Sequence, residues 1–203
     1  MRRLIFAIII AVTLSGCGPA VKHIVSPEYE QTRPTKVVVL PLIWELEAAK
    51  EADDISYLFR RMTAEKLNLL NYQTVPLEDV EKAGKGSGDW FTGKAPHEVA
   101  ALFGADSVLF IRMKDWDKHS LPPYASLEIR ASFELRSANG SLLWQAEYSS
   151  SEADLNIDSA PMHLALYKAY EPRVQRFVDA IFTTLPAGQA REQSRKTYFK
   201  WLP

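Results

Sequence analysis

Cys17 carries the most reactive side chain in this chain of 203 residues, and it is the only cysteine. A thiolate is a soft nucleophile, so this side chain can accept a covalently attached lipid. Because there is no second cysteine, no disulfide can form within the chain. Leu14, Ser15 and Gly16 come directly before it. Small residues at such a position fit the narrow cleft of a signal peptidase, which makes these three the predicted recognition site.

The segment before Cys17 has the order of an export signal. Arg2 and Arg3 give a positive start, and residues 4–14 are predominantly apolar. This stretch is too short for a transmembrane helix, which needs about 20 apolar residues. Its ending resembles the lipobox of bacterial lipoproteins. The resemblance implies that residues 1–16 are a signal peptide and that Cys17 becomes the lipidated first residue, which would anchor the protein to a membrane.

Residues 17–35 are predicted to be a tether between the lipid and the folded body. Pro19, Pro27 and Pro34 are spread through this polar segment, which has no helical periodicity. Gly18 follows the cysteine where other lipoproteins carry aspartate. By the sorting rule of enterobacterial lipoproteins, that difference implies the periplasmic face of the outer membrane.

Two further segments contain residue types that could bind a ligand. Residues 84–93 are rich in glycine but lack the order of a phosphate-binding loop, so they are interpreted as a surface loop that presents Trp90 and Phe91 for interaction. Residues 115–119 combine two carboxylates and an imidazole around Trp116. Their spacing fits neither a calcium loop nor a zinc site, which favours a solvated loop.

No constellation of catalytic residues is recognisable. His23, His97, His119 and His163 lie in unrelated contexts, and no serine sits in a nucleophile elbow. We therefore expect no enzyme, no catalytic residue, no metal ligand and no cofactor. The 24 Lys and Arg against 25 Asp and Glu leave no basic excess, so we expect no nucleic-acid partner either.

Hydrophobic periodicity predicts one α+β domain over residues 36–185, followed by a basic and aromatic tail over residues 186–203. The predicted strands are 36–40, 72–75, 107–113, 125–136 and the return strand of a hairpin at Asn139-Gly140. The predicted helices are 47–70, a segment that starts at Pro96 and ends at Gly104, and 161–185 with Pro172 inside it. This order predicts a mixed sheet with helices packed on it.

Three segments together resemble a family of bacterial lipoproteins of unknown function. They are the opening 36–41, the helix-to-strand segment 103–109 and the hairpin 139–144. The resemblance covers roughly residues 34–185. It implies a fold like the N-terminal domain of TolB, shared with the curli-secretion lipoprotein and with lipoproteins that activate penicillin-binding proteins. It also implies that Asp106 lies where a helix gives way to a strand, and that Trp144 fixes the hairpin to the core.

The expected function is that of an outer-membrane-anchored, non-enzymatic accessory protein. Its partner would be an envelope protein of a transport, secretion or peptidoglycan-synthesis assembly. The alternative is a periplasmic lipoprotein that binds a small ligand or glycan through Trp90, Phe91 and Trp116, which predicts an apolar pocket of a few hundred Å³. A sheet edge near Pro41 would also allow pairing between copies into a homo-oligomer.

Overall fold

The computed structural model describes residues 20–45, 47, 51–84, 88–91, 93–121, 124–155 and 162–189. The predicted signal peptide 1–16, its recognition residues Leu14, Ser15 and Gly16, and the lipidation site Cys17 lie outside the described residues. So does the tail beyond residue 189. The predictions for these segments stay predictions.

The described residues form seven strands, five α-helices and one short 3₁₀ helix. The strands are β1 Lys22–Val25, β2 Lys36–Val39, β3 Ile43–Trp44, β4 Gln73–Thr74, β5 Ser107–Leu121, β6 Tyr124–Ser137 and β7 Leu142–Leu155. The α-helices are α1 Glu28–Thr32, α2 Ala52–Leu69, α3 Leu77–Ala83, α4 Pro96–Phe103 and α5 Met162–Phe182, and the 3₁₀ helix is Gly88–Phe91.

All seven strands belong to one mixed sheet with the order β1-β7-β6-β5-β2-β4, and β3 also pairs with β5. The pairs β1 with β7, β7 with β6 and β6 with β5 are antiparallel. The pairs of β2 with β4 and of β2 and β3 with β5 are parallel. The predicted α+β class with a mixed sheet is therefore confirmed.

The main core lies between one face of the sheet and the helices α2 and α5. The alternation that predicted β6 is confirmed here. Five apolar side chains of β6 point into this core and are at most 1% exposed: Leu127, Ile129, Ala131, Phe133 and Leu135. Phe59 of α2 and Phe177 of α5 meet edge to face above them, with ring centroids 5.8 Å apart. We call this side of β5, β6 and β7 the covered face.

A second, smaller core lies on the other side of β2 and of the beginning of β5. Val38, Leu40 and Val108 point into it, beneath α3, α4 and the 3₁₀ helix. Val37 and Val39 point into the main core and Val38 into the second core, which explains why three consecutive positions of β2 are apolar. A strand with both neighbours and both faces occupied must lie inside the sheet. β2 pairs with β4 at Lys36 and Val37 and with β5 from Val37 to Val39, so the edge expected near Pro41 lies beyond the residues that are paired on both sides.

The junction between α4 and β5 behaves as the resemblance implied. Gly104 ends α4 with a φ of 56°, in the left-handed region that glycine adopts without strain. The carboxylate of Asp106 then accepts hydrogen bonds from the backbone N–H of Thr35 at 2.9 Å and of Lys36 at 3.1 Å. It also accepts one from the Thr35 hydroxyl at 2.6 Å. Asp106 thereby fixes the start of β2 beside the start of β5.

Residues 22–32 correct the predicted tether. Residues 22–25 form β1 along β7, and the backbone N–H of Ser26 donates to the carbonyl oxygen of Leu143 at 2.9 Å. Pro27 sits directly before α1, where the missing N–H of proline is tolerated. Tyr29 is buried in the main core. Pro27, one of the prolines that indicated a tether, therefore marks the start of a helix.

The strands β5 and β7 extend further than predicted. Residues 115–119 continue β5 as far as Leu121, and residues 149–155 continue β7. The sequence did not indicate these extensions, because their side chains are mostly polar. They are strands because their backbones form hydrogen bonds with β6, which does not depend on the type of side chain. Arg60 of α2 is 1% exposed although its side chain is charged, and it forms an ion pair with Glu81.

No helix formed by the described residues is long and apolar enough to cross a membrane.

Candidate functional site

The aromatic residues predicted to bind a partner lie largely in the cores. Phe91 is 6% exposed and packs in the second core, and Trp90 packs against it edge to face at 4.9 Å between ring centroids. The Lys94 ammonium lies 4.2 Å from the centre of the Trp90 ring. The interpretation of Trp90 and Phe91 as an exposed tip is therefore wrong for Phe91, whose ring fills space beneath α4.

Trp116 is likewise a packing residue. It lies in β5 rather than in a loop, and its ring contacts Phe59 and Tyr170 at centroid distances of 6.2 and 5.3 Å. The bulge in β5 between Met113 and Asp115 places Trp116 on the covered face, opposite Ile129. The predicted solvated loop around this tryptophan is therefore wrong.

The surface that remains for interaction is the opposite side of the same three strands, which we call the open face. Its members alternate with the residues of the covered face, and β1 extends it by two residues. They are Arg112, Lys114, Asp115 and Asp117 of β5, Glu128, Arg130, Ser132, Glu134 and Arg136 of β6, Gln145, Glu147 and Ser149 of β7, and Lys22 and Ile24 of β1.

The open face carries equal numbers of basic and acidic side chains, which form ion pairs across it. The Lys114 ammonium lies 2.7 Å from the Glu147 carboxylate. Glu134 contacts Arg136 at 2.9 Å and Arg112 at 3.8 Å. Exposed pairs of this kind contribute little to stability, typically about 0.2–1 kcal/mol. The arrangement therefore presents fixed, alternating charges to solvent without being required for the fold.

The helices explain why this face is open. The helices α2 and α5 pack on the covered face, and α3 and α4 reach the other side only over β2 and the adjoining ends of β5 and β6. Within the described residues, no helix lies over the remainder of β6 and β7 on that side. Glu128 and Arg130 keep 42% and 48% of their side-chain surface exposed. The sequence predicted this wet face correctly from the alternation of β6.

The C-terminal segment is held to the body by two tyrosines. The hydroxyl of Tyr72 donates to the carbonyl oxygen of Pro186 at 2.7 Å and is hydrogen-bonded to the hydroxyl of Tyr29. Burial, and then the hydrogen bond to Tyr29, raises the pKa of Tyr72 above its usual value. The backbone N–H of Gly188 donates to Leu70 at 2.7 Å. Residues 186–189, the first four of the predicted tail, are therefore docked on the body.

A shallow pocket of about 130 Å³ lies beside these tyrosines. Tyr29, Arg33, Pro34, Pro186 and Gln189 line it together with their neighbours. It is smaller than the few hundred Å³ expected of a small-ligand site, and none of Trp90, Phe91 and Trp116 lines it. Within the described residues there is also no group of three or more His, Cys, Asp or Glu side chains that could hold a metal ion.

Comparison of this architecture with solved structures gives a match over most of the chain. Lipoprotein GNA1162 from Neisseria meningitidis superposes with a TM-score of 0.53 at 20% sequence identity, covering 72% of this chain and 99% of that one. The chain has the fold of a meningococcal lipoprotein. The resemblance indicated by the sequence is thus confirmed at the level of the fold.

Other comparisons are weaker. PelC from Paraburkholderia phytofirmans, solved as a dodecamer, aligns with a TM-score of 0.49 at 16% identity, covering 86% of this chain and 100% of that one. No protein-family profile matches the chain, and no curated protein sequence is significantly similar to it.

Proposed function

We propose that this chain is a bacterial envelope lipoprotein that acts as a non-enzymatic accessory protein. Lipidated Cys17 would hold it on the periplasmic face of the outer membrane, and the open face would bind a protein of an envelope assembly. Three acyl chains would give firm anchoring, since each buried CH₂ contributes about 0.8 kcal/mol.

Two observations support the location. The order of charge, apolar stretch and Leu14-Ser15-Gly16-Cys17 is that of a lipoprotein export signal. The fold is that of a protein solved as a lipoprotein. β1 begins only five residues after Cys17, so the anchor and the sheet are close in the chain.

The observation that carries the binding role is the open face itself. It extends over β5, β6, β7 and β1, and its charged side chains Glu128 and Arg130 keep 42% and 48% of their surface exposed. A typical specific protein interface buries about 800 Å² on each partner. Fixed charges of both signs favour one orientation of an approaching protein over others and disfavour partners with mismatched charges. A small ligand would instead need a concave site, and the shallow pocket near Tyr29 does not favour the ligand-binding alternative.

Crosslinking in intact cells followed by affinity purification tests this proposal. We expect the full chain to recover one defined envelope complex. The Cys17→Ala variant should recover much less of it, because its anchor is lost. Arg130→Glu should also reduce recovery about tenfold, since a reversed charge faces the partner.

Lys82→Glu provides the matched control. Lys82 lies on α3, away from the open face, and keeps 74% of its side-chain surface exposed. This reversal should leave recovery unchanged. Equal recovery with Arg130→Glu and Lys82→Glu would contradict binding through the open face, and normal recovery and membrane fractionation of Cys17→Ala would contradict the anchor.

A further inference from the structure

The strand β1 is the outermost strand of the sheet that the described residues form, and it is not protected by apolar burial. Its four residues are all exposed. Ile24 is 59% exposed and Val25 is 39% exposed, although both are large and apolar. Outer strands present unpaired N–H and C=O groups, and proteins usually reduce this liability with charges or cover. Here Lys22 is the only charged residue of the strand.

Within the sheet that the described residues form, the backbone of β1 has a defined set of unpaired N–H and C=O groups. Ser26 donates to Leu143 across the pair with β7, and Ile24 pairs with Gln145 two residues earlier. Because antiparallel pairs alternate, Ile24 and Ser26 direct their N–H and C=O groups toward β7. His23 and Val25 therefore direct theirs away from the sheet.

We propose that β1 pairs with β1 of a second copy of this chain, antiparallel, about a twofold axis at Ile24. In this register His23 of each copy faces Val25 of the other, and the four outward groups of each strand make four interstrand hydrogen bonds. The two Ile24 side chains meet directly on the open face. The open faces of both copies then become one continuous surface.

Other registers are less favourable. An axis at His23 would set two imidazoles opposite each other and place Ile24 opposite Lys22. An axis at Val25 would bring His23 opposite Pro27, which has no N–H to donate. Only the axis at Ile24 covers the exposed isoleucine and uses every outward group of His23 and Val25.

Charge also favours a second copy as the occupant. With the axis at Ile24, Lys22 of one copy lies opposite Ser26 of the other. Ser26 lies two residues before α1, whose first turn carries Glu28 and also Glu30, which pairs with Arg33 at 3.3 Å. Lys22 of each copy therefore lies near the acidic first turn of α1 of the other copy. By symmetry, the dimer contains this arrangement twice.

The geometry is also compatible with the proposed anchor, although the pairing does not require it. The two Lys22 residues would be separated by roughly 14 Å along the paired strands. Each Cys17 lies five residues earlier, within reach of the same membrane. Because four-residue pairing buries little area, confinement on one membrane would raise the effective concentration and the dimer fraction.

Cysteine scanning tests the pairing in the full chain. Lys22, His23, Ile24 and Val25 are replaced one at a time by cysteine, and membranes and purified protein are oxidised with copper phenanthroline. Ile24→Cys should give about ten times more disulfide dimer than Lys22→Cys, because only the former brings the two Cα atoms within the 4.4–6.8 Å that a disulfide requires. Val25→Pro, added to Ile24→Cys, should reduce the dimer because it removes outward N–H donors.

Three controls make the result decisive. The unsubstituted chain reports any crosslinking through Cys17, and Leu69→Cys, at a residue 77% exposed on α2, reports random collision. Two differently tagged copies must both appear in the dimer. A maximum at another position, an adduct containing a different protein, or no dimer from a variant with an unchanged melting temperature would overturn the proposal. Membrane fractionation of the same samples reports separately on the anchor.

Discussion

The covered and open faces are built from alternate residues of the same strands, yet they meet opposite physical demands. Phe133 points into the main core with no exposed surface, whereas Glu134, the next residue, binds Arg136 and Arg112 at the surface. Apolar burial stabilises a fold by about 25 cal/mol per Å², while exposed ion pairs contribute little. The difference indicates that the covered face determines stability and the open face is available for recognition.

Phe133→Ala should be the largest disruption of this contrast. Phe133 meets Phe182 edge to face at 5.6 Å, and truncating it leaves a cavity under α5. We expect a loss of about 3–5 kcal/mol in the free energy of unfolding, measured by urea denaturation.

Arg130→Ala, three residues earlier on the open face, is the control. It should change the free energy of unfolding by less than about 0.5 kcal/mol. Comparable losses for the two variants would mean that the open face is as necessary to the fold as the covered one.

Tyr72→Phe removes the hydroxyl of a tyrosine that lies in the main core and is 3% exposed. Tyr29 and Pro186 each lose a hydrogen-bond partner. We expect a loss of about 1–2 kcal/mol at pH 8, measured by urea denaturation. Tyr57→Phe, on the exposed side of α2, should have no effect.

The same variant gives a pH dependence. Burial and the hydrogen bond to Tyr29 raise the pKa of Tyr72, so its neutral form is favoured in the folded protein. The resulting stability is present below the unfolded pKa of about 10 and is lost as the pH rises above it. The difference in the free energy of unfolding between the parent protein and Tyr72→Phe should therefore decrease above pH 10. If this difference stayed constant above pH 10, the Tyr72 hydroxyl would be in contact with water in the folded protein.

The contrast between the faces was largely predictable from sequence, because apolar and polar residues alternate in β6 according to which face is exposed to water. The strand extensions were not, because residues 115–119 and 149–155 are held by neighbouring strands rather than by their own apolar pattern. Arg60 escaped prediction for a similar reason. Its burial depends on Glu81 in a different helix, which periodicity within one helix does not reveal.

The interaction residues were harder still to predict. Aromatic side chains in a glycine-rich or acidic segment look exposed in sequence, but Phe91 and Trp116 fill cores formed by distant elements. The prolines near β1 are typical of a linker, so the sequence did not indicate that β1 forms an outer edge of the described sheet. An isolated apolar pair, Ile24 and Val25, between polar residues was the available signal.

Asp179→Asn tests an ion pair that joins two helices over the covered face. The Asp179 carboxylate contacts the Lys66 ammonium at 2.7 Å. Burial disfavours its charge, but the hydrogen bonds from Lys66 and Gln175 outweigh that effect, so the pKa of Asp179 lies below its ordinary value. Because the pair is partly exposed, we expect a loss of only about 0.5–1 kcal/mol at pH 7.

The sign of the pH dependence follows from that lowered pKa. The stabilisation is present above the unfolded pKa of about 3.9 and is lost as the pH falls through the folded pKa. Urea denaturation of both proteins should show a difference in the free energy of unfolding at pH 7, and this difference should be lost progressively as the pH falls below about 3.9. Asp79→Asn, in an exposed pair on α3, should show no such difference at either pH.

The pair of Lys114 and Glu147 gives the smallest expected effect and the sharpest comparison. Its separation of 2.7 Å equals that of Lys66 and Asp179, but it lies on the open face and joins strands that backbone hydrogen bonds already hold. A double-mutant cycle with Lys114→Ala and Glu147→Ala should give a coupling energy of about 0.2–0.5 kcal/mol, which falls further in 0.5 M NaCl. A coupling of about 1 kcal/mol, as large as the loss expected for Asp179→Asn, would show that equal geometry gives equal stabilisation on both faces. A small coupling combined with weaker recovery of the envelope complex would instead separate recognition from stability at a single ion pair.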